Sequence, residues 1–229
     1  KLNQVIRVKK SPTYWDADRV QLNEIHFLPI DNVTREDFMF RSGRIHVTGS
    51  VPTEKIEVYR EEYPDQITIT PYYGTYYYRI NINKKPLDSK LVRQALSLSI
   101  DREKITTKVA KGGQLPAFSF TPPDPNSYFP PTTLEYDPEK AKELLETAGY
   151  SPETLPTIEL LYNTSEGHQK IAEAMQQMWK ETLGVDIILT NTDWKVYLSK
   201  QTTGDYEIAR AGWIGDYQDP KSFLDMMVT

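Results

Sequence analysis

Apolar positions recur with two spacings along the chain, and the change of spacing divides the sequence near residue 75. Before it, short runs alternate apolar and polar side chains, as strands with one buried face do. After it, helical and strand patterns alternate. We predict a β-rich segment over 1–75 and an α/β segment over 76–229. The strands predicted in the first segment are residues 5–8, 21–27, 45–48 and 67–70, with a short helix over 34–40.

Two helices of the second segment have recognisable ends. Asp88 precedes apolar residues at i, i+3 and i+4 spacing within 91–100, which predicts a helix with Asp88 as its N-cap. Asp137 followed by Pro138 is typical of a helix start, because the Asp side chain accepts from first-turn amides and proline fits the first helical position. Gly149 is the predicted end of this helix.

From residue 157 onward the pattern is strand, helix, strand, helix, strand. Helical crossovers of this length allow parallel pairing, which predicts an open α/β sheet. Ligands of such sheets bind beyond the carboxyl ends of the strands. Asn163 and residues 212–216 both fall at that edge, so we predict that they converge on one rim. The predicted strands are residues 158–162, 185–189 and 206–209, with Gly184 ending the long helix between the first two.

Composition excludes several classes of function. The chain has 229 residues, a net charge of −5 and no cysteine, so we expect no nucleic-acid partner, no disulfide and no thiolate metal site. The three histidines, His26, His46 and His168, lack metal-ligand spacing. Neither a nucleophile elbow nor a Gly-rich phosphate loop occurs, and close carboxylates such as Asp205 and Glu207 are common on acidic surfaces. We therefore expect neither catalysis nor a cofactor or metal.

Residues 210–217 read Arg-Ala-Gly-Trp-Ile-Gly-Asp-Tyr and form the first candidate site. Glycine at the end of a strand often marks the close approach of a ligand or a second chain. Asp216 at this position suits a cationic group such as a peptide α-amine, held by charge-assisted hydrogen bonds. The alternative is a plain turn at Gly215 and Asp216, with Trp213 in the core.

Residues 72–78 contain five tyrosines and form the second candidate site. Tyrosine offers a flat apolar face with a polar tip, which suits a site that accepts varied side chains. The alternative is a strand stabilised by cross-strand aromatic pairs. Because the cluster lies between the two segments, it is also the predicted crossover from one to the other.

Five stretches together resemble the extracytoplasmic oligopeptide-binding proteins, the solute-binding components of peptide ABC importers. The resemblance implies a periplasmic-binding-protein-like fold of type II. In it, 1–75 is part of a first, β-rich lobe, and 76–229 is most of a second α/β lobe with a mixed β-sheet and crossover helices. Against the family pattern, we expect a large N-terminal and a smaller C-terminal portion to be missing. The stretches are 11–16, 40–45 (followed by His46 instead of the usual Asp), 92–102, 161–165 and 210–217.

The resemblance also implies roles for individual residues, with a short peptide added as a β-strand. Gln201 stands where close oligopeptide binders offer a further Arg, which leaves the preferred peptide length open. Without the resemblance, His168 reads as a surface histidine of a helix. The implied peptide-binding residues are Asp216 on the α-amine, Arg210 and His168 at the carboxylate end, Gly212, Trp213 and Ile214 along the backbone, Tyr72, Tyr77 and Trp194 beside the ligand, and Asn163 on the rim.

The function implied is capture of short peptides for the membrane permease of an ABC importer, in the periplasm or as a cell-surface lipoprotein. The alternative is a murein-peptide or signalling-peptide binding protein of the same fold. No signal peptide occurs in the chain. Some relatives join the segments that hold Gly74 and Ile214 by a disulfide, so we expect these segments to meet here without one. We also expect the 229-residue chain to self-associate.

Overall fold

The structure, a computed structural model, describes residues 4–124, 128–133 and 135–228. These residues form two compact units that divide between Pro52 and Thr53. The lobe boundary that we expect between residues 75 and 76 does not coincide with this division of the chain. It stays a prediction. Residues 121–131 are rich in proline, which predicts an ordered surface loop, and they lie partly outside the described residues.

In its described residues, the first unit contains a two-stranded ladder, a short 3₁₀ helix (Ala17–Arg19) and an α-helix. Strands β1 (Ile6–Lys9) and β2 (Glu24–Phe27) pair antiparallel, and all of their residues are exposed. Helix α1 (Val33–Arg41) confirms the predicted short helix, and the side chain of its N-cap Asn32 accepts from Arg35 N at 2.7 Å.

The strand predicted over 45–48 is wrong. Gly43 turns the chain with φ 71° directly after α1. The following segment is then held back against the helix, because Gly49 N donates to Glu36 Oε1 at 2.8 Å. A side-chain contact to α1 therefore replaces the partner strand that a ladder needs.

The second unit is an α/β sheet with helices on both faces. Its strand order is β3-β6-β4-β5, with β4 parallel to both neighbours and β3 antiparallel to β6. The sheet is therefore mixed, as predicted. In chain order the elements are α2 (Ile56–Glu62), β3 (Gly74–Ile80), α3 (Lys90–Leu98), α4 (Arg102–Lys104, continued by a π-helical stretch Ile105–Ala110), α5 (Pro138–Thr147), β4 (Ile158–Asn163), α6 (Glu166–Leu183), β5 (Ile187–Thr192), α7 (Trp194–Thr203), β6 (Ile208–Ile214) and α8 (Lys221–Leu224).

Most of the predicted helix ends are confirmed. The Asp137 side chain accepts from Lys140 N at 2.9 Å, and Gly184 ends α6 in the left-handed region. Asp88 as the cap of α3 is wrong: Ser89 is the N-cap. The Asp88 backbone is already used, since its N–H donates to Lys84 O and its carbonyl accepts from Arg93 Nη1.

The main core lies between one face of the sheet and helices α3, α5 and α6. Trp179 of α6 is buried there, and its indole N–H donates to Leu96 O at 2.8 Å. On the opposite face, Tyr197 of α7 packs on Leu161 and Ala209. Two helical layers thus fix the β4 and β6 strands from both sides.

Three strand predictions need correction. The strand over 67–70 is absent, because the chain leaves a 3₁₀ turn at Pro64–Gln66 and continues without a pairing partner. β5 begins two residues later than the predicted 185. β6 is much longer than 206–209 because β3 pairs along all of it, from Ile80↔Ile208 to Gly74↔Ile214. The Gly74 and Ile214 segments therefore meet directly, as expected. Among the described residues, no helix is both long and apolar enough to cross a membrane.

Candidate functional site

The candidate site begins where β6 separates from β4. The two strands pair only at Leu160↔Ile208 and Leu161↔Ala209, although β4 continues to Asn163 and β6 to Ile214. Beyond Ala209, β6 is a strand with one paired side and one side that β4 no longer covers. This divergence places the site beyond the carboxyl ends of parallel strands, as the sequence predicted.

The backbone of β6 presents hydrogen-bonding groups toward that uncovered side. Next to β3, Asn81 N donates to Glu207 O and Gly215 N donates to Tyr73 O. Because the direction alternates along an antiparallel ladder, the even-numbered residues of β6 point their N–H and C=O away from β3. Gly212 and Ile214 are both exposed. We call these two residues the free edge of β6.

Asp216 stands at one end of the free edge with an exposed carboxylate. Its backbone is fixed, since its N–H donates to Ser222 Oγ at 2.9 Å. Within the described part of the chain, its carboxylate forms no hydrogen bond or ion pair. The chain bends at Asp216, after β6 has ended at Ile214, and Gly212 lies within the strand, so the turn alternative applies only to the end of the segment.

Arg210 stands at the other end and is half-buried. Its guanidinium lies 4.8 Å from the centre of the Tyr76 ring, and Nη1 donates to Asn163 Oδ1 at 3.3 Å. Nε is buried without a hydrogen-bond partner. No carboxylate in the described ranges pairs with this guanidinium. A Cβ built on Gly212 would lie 3.5 Å from Nη2, so the charged head reaches along the strand to the level of Gly212.

His168, in the first turn of α6, joins the same cluster. Its Nδ1 lies 3.3 Å from the Tyr76 hydroxyl, and the two rings are 5.6 Å apart. Burial first, and the charge of Arg210 second, lower the pKa of His168 to about 4. The imidazole is therefore neutral near neutral pH, and Arg210 carries the positive charge of this end.

Of the predicted site residues, the structure brings three together: Arg210 and His168 both contact the Tyr76 ring, and Asn163 contacts Arg210. Trp213 lies on the opposite face of β6, where its indole N–H donates to Ser222 O at 2.7 Å. It therefore supports the turn to Asp216 from behind the free edge.

The two predicted tyrosines, Tyr77 and Tyr72, occupy different environments. Tyr77 points away from Arg210 and packs edge-on against Phe120, with ring centres 5.0 Å apart. Tyr72 precedes β3 and is 72% exposed. Trp194 is exposed too, and it stacks on Tyr197 at 5.4 Å. Among the described residues, none of these three forms a hydrogen bond or ring contact with Arg210, Tyr76, His168 or Asn163.

Sequence reasoning missed Tyr76 and Tyr197. Tyr76 was one of five similar tyrosines, and only the register, which places it opposite Gly212, selects it. Tyr197 lies one helical turn before Gln201, so the i, i+4 spacing was the available signal. Among the described residues, no cluster of three or more His, Asp or Glu side chains is arranged to hold a metal ion.

An α/β unit with an open strand edge, which carries a carboxylate at one end and a guanidinium at the other, is suited to bind a ligand along that edge. The chain belongs to the bacterial extracellular solute-binding proteins, family 5: the sequence profile of the family's middle region matches residues 1–229. The predicted family and fold class are thereby confirmed.

Individual relatives agree with this membership. The periplasmic oligopeptide-binding protein OppA of Escherichia coli K12 is 40% identical, over all of this chain and 43% of that protein. The structure of the Escherichia coli murein tripeptide binding protein MppA superposes with a TM-score of 0.92 at 39% identity, covering 99% of this chain and 46% of that one. The structure of Haemophilus influenzae OppA in complex with RPPGFSPFR superposes with a TM-score of 0.86 at 33% identity, covering 99% of this chain and 46% of that one. The chain thus spans less than half the length of these relatives.

Proposed function

We propose that this chain is the peptide-binding part of the solute-binding component of a peptide ABC importer. The observation that carries the proposal is the pair of unpaired charges, Asp216 and Arg210, at opposite ends of the free edge of β6. A short peptide has the complementary charges at its own two ends and an extended backbone between them. No catalytic group is needed for this role.

The spacing of the two charges fits a short ligand. The Arg210 head reaches the level of Gly212, four positions before Asp216. Four residues span at most about 13 Å, at roughly 3.3 Å per residue in a strand. That length matches three to four peptide residues. With its α-amine at Asp216 and its carboxylate at Arg210, the peptide runs antiparallel to β6.

The free edge explains how peptides of varied sequence can bind. Gly212 and Ile214 offer main-chain N–H and C=O groups, and every peptide has the complementary groups. Ligand side chains point away from this ladder, where water in open pockets adapts to different residues. The relatives named periplasmic support an extracytoplasmic location, either the periplasm or the cell surface as a lipoprotein, and delivery to a membrane permease.

The α-amine contact tests the proposal most directly. In the intact protein, Asp216→Asn should weaken binding of free-amine tripeptides by roughly 2–5 kcal/mol, the usual cost of leaving a buried charge unpaired. N-acetylated tripeptides have no charged α-amine, so they should bind the wild type poorly. Their affinity for the variant should be almost the same as for the wild type. Asp219→Asn is the matched control, since the Asp219 carboxylate already accepts from Lys221 N. Equal calorimetric affinity of the wild type for free and acetylated peptides would rule out this role of Asp216.

A second candidate ligand is a peptide derived from murein. It is favoured by the TM-score of 0.92 against the murein tripeptide binding protein. Mass spectrometry of ligands that copurify with the intact protein separates the two candidates: a mixture of ordinary peptides supports nutrient uptake, and a single species with murein amino acids supports the alternative.

A further inference from the structure

The carbonyl of Arg210 is the first main-chain acceptor of β6 beyond its pairing with β4, and it points to the uncovered side of the strand. In a continued parallel ladder, a β4 amide would donate to it. Instead, α7 supplies the donors. The Tyr197 hydroxyl donates to Arg210 O, and Gln201 Nε2 donates to the same oxygen at 3.2 Å.

These two donors are joined by a hydrogen bond, and we call the pair the α7 clamp. Tyr197 and Gln201 lie one turn apart on α7, and Gln201 Nε2 also donates to the Tyr197 hydroxyl at 2.6 Å. Tyr197 is 2% exposed and its ring stacks on Trp194 with 21° between the planes. Burial raises the pKa of the Tyr197 hydroxyl, so it remains protonated and able to donate.

The clamp occupies a position that an incoming strand would otherwise use. A carbonyl oxygen accepts two hydrogen bonds, and here both come from α7. In an antiparallel pair, every second residue exchanges hydrogen bonds with its partner. A peptide aligned with the free edge therefore bonds through residue 1 at Ile214 and residue 3 at Gly212. The next pairing position, for residue 5, is Arg210, whose acceptor is already occupied.

We propose that Tyr197 and Gln201 are specificity-determining residues that set the carboxyl-terminal limit of the peptide ladder and so favour tripeptides over longer ligands. This inference rests on the proposed function. Both side chains act through the Arg210 carbonyl, to which they donate. The first three residues of a longer peptide still pair with the free edge. Its fifth residue forms no main-chain hydrogen bond with β6, because the Arg210 carbonyl is occupied.

The first test removes the clamp. The double variant Tyr197→Phe, Gln201→Leu keeps the packing and frees the Arg210 carbonyl. By calorimetry, pentaalanine should gain about fivefold in affinity, the typical value of one main-chain hydrogen bond, while trialanine stays unchanged. Tyr206→Phe is the matched control, because Tyr206 packs against the same cluster as Tyr197. An unchanged ratio of pentaalanine to trialanine affinity in a folded double variant overturns the inference.

A second test uses only the wild-type protein, so it does not depend on how the variant folds. N-methylating pentaalanine at residue 3 should reduce affinity about tenfold, and N-methylating residue 5 should change it less than about twofold. Equal losses at both positions would contradict a ladder that ends at Gly212. If neither trialanine nor pentaalanine binds the wild type, the proposed function fails instead of this inference.

Discussion

Arg210 contributes to the site through both its side chain and its backbone. Its guanidinium is held by the Tyr76 ring and the Asn163 amide, neither of which neutralises it. Its carbonyl is held by α7. A cation placed by aromatic and amide contacts keeps its charge for a ligand, and its planar head suits a carboxylate. The sequence identified the cation, but the groups that place it come from three separate elements.

His168 predicts a dependence of stability on pH. Its pKa of about 4 in the folded chain lies below the ordinary value of 6.5, so the unfolded state takes up a proton first as pH falls. The free energy of unfolding is therefore highest above about pH 6.5, where His168 is neutral in both states, and it falls as the pH is lowered toward 4. Because the ring is only partly buried, we expect a loss of about 1–2 kcal/mol, well below the full value of the shift.

Urea unfolding at pH 7 and pH 4.5 measures this dependence. His168→Gln should reduce the difference between the two pH values. His46→Gln, at an exposed position of the first unit, should leave the difference unchanged. A His168→Gln variant with the full wild-type pH dependence would show that other groups cause it.

Among the secondary-structure elements, the sequence predicted best those helix ends that neighbouring residues determine. The cap of α5 at Asp137 and the end of α6 at Gly184 depend on neighbours within one turn, and both are confirmed. The strand over 45–48 failed because an alternating pattern gives no information on whether a partner strand exists. The length of β6 was underestimated for the converse reason, since its partner β3 lies far away in the sequence.

The residues of the candidate site also separate into those that the sequence predicted and those that only the fold reveals. Asp216 and Arg210 were recognisable from their charge and from the glycines beside them. Tyr76 and the α7 clamp were not, because their roles arise from register and from the divergence of β4 and β6. Trp213, Tyr72 and Tyr77 were assigned to the ligand by resemblance, and their place in peptide binding stays a prediction.

Two helix-terminal glycines predict different responses to the same substitution. Gly149 and Gly184 both have positive φ, 83° and 68°. A Cβ on Gly149 would meet nothing within 4 Å, whereas on Gly184 it would lie 2.6 Å from Pro152 Cβ. Gly149→Ala should cost about 1 kcal/mol for the left-handed backbone. Gly184→Ala should cost roughly 1–3 kcal/mol more, because the packed neighbour has to move.

Chemical denaturation of the two single variants checks this prediction, and Gly167→Ala serves as a control. Gly167 lies in the first turn of α6, where a Cβ would meet only Ser165 Oγ at 3.8 Å, so alanine should be neutral or stabilising there. Equal destabilisation at Gly149 and Gly184 would mean that Pro152 yields without cost.

For the whole molecule, the exposed ladder of the first unit predicts self-association of the 229-residue chain. β1 and β2 expose apolar side chains, among them Ile6 at 63% and Phe27 at 55%. A two-stranded ladder is marginally stable alone, and its unpaired edges accept further strands. We expect oligomers, and peptide affinity far below that of the intact protein.

Light scattering and calorimetry on the same sample measure both effects. Val8→Lys, on the exposed face of β1, should shift the chain toward monomer, because a charge opposes edge pairing. A lysine introduced at an exposed position of α5, Glu146→Lys, should leave the association unchanged. A clean monomer with tight peptide binding by the 229-residue chain would contradict the prediction.

The β3–β6 ladder has one further consequence, for the order of folding events. Its two strands are separated by most of the second unit, so their pairing closes a very long loop, and such contacts form slowly and late. The free edge exists only once that loop is closed. If the proposed function holds, peptide capture requires that this loop has closed, and binding of a labelled peptide should follow the formation of the β3–β6 ladder.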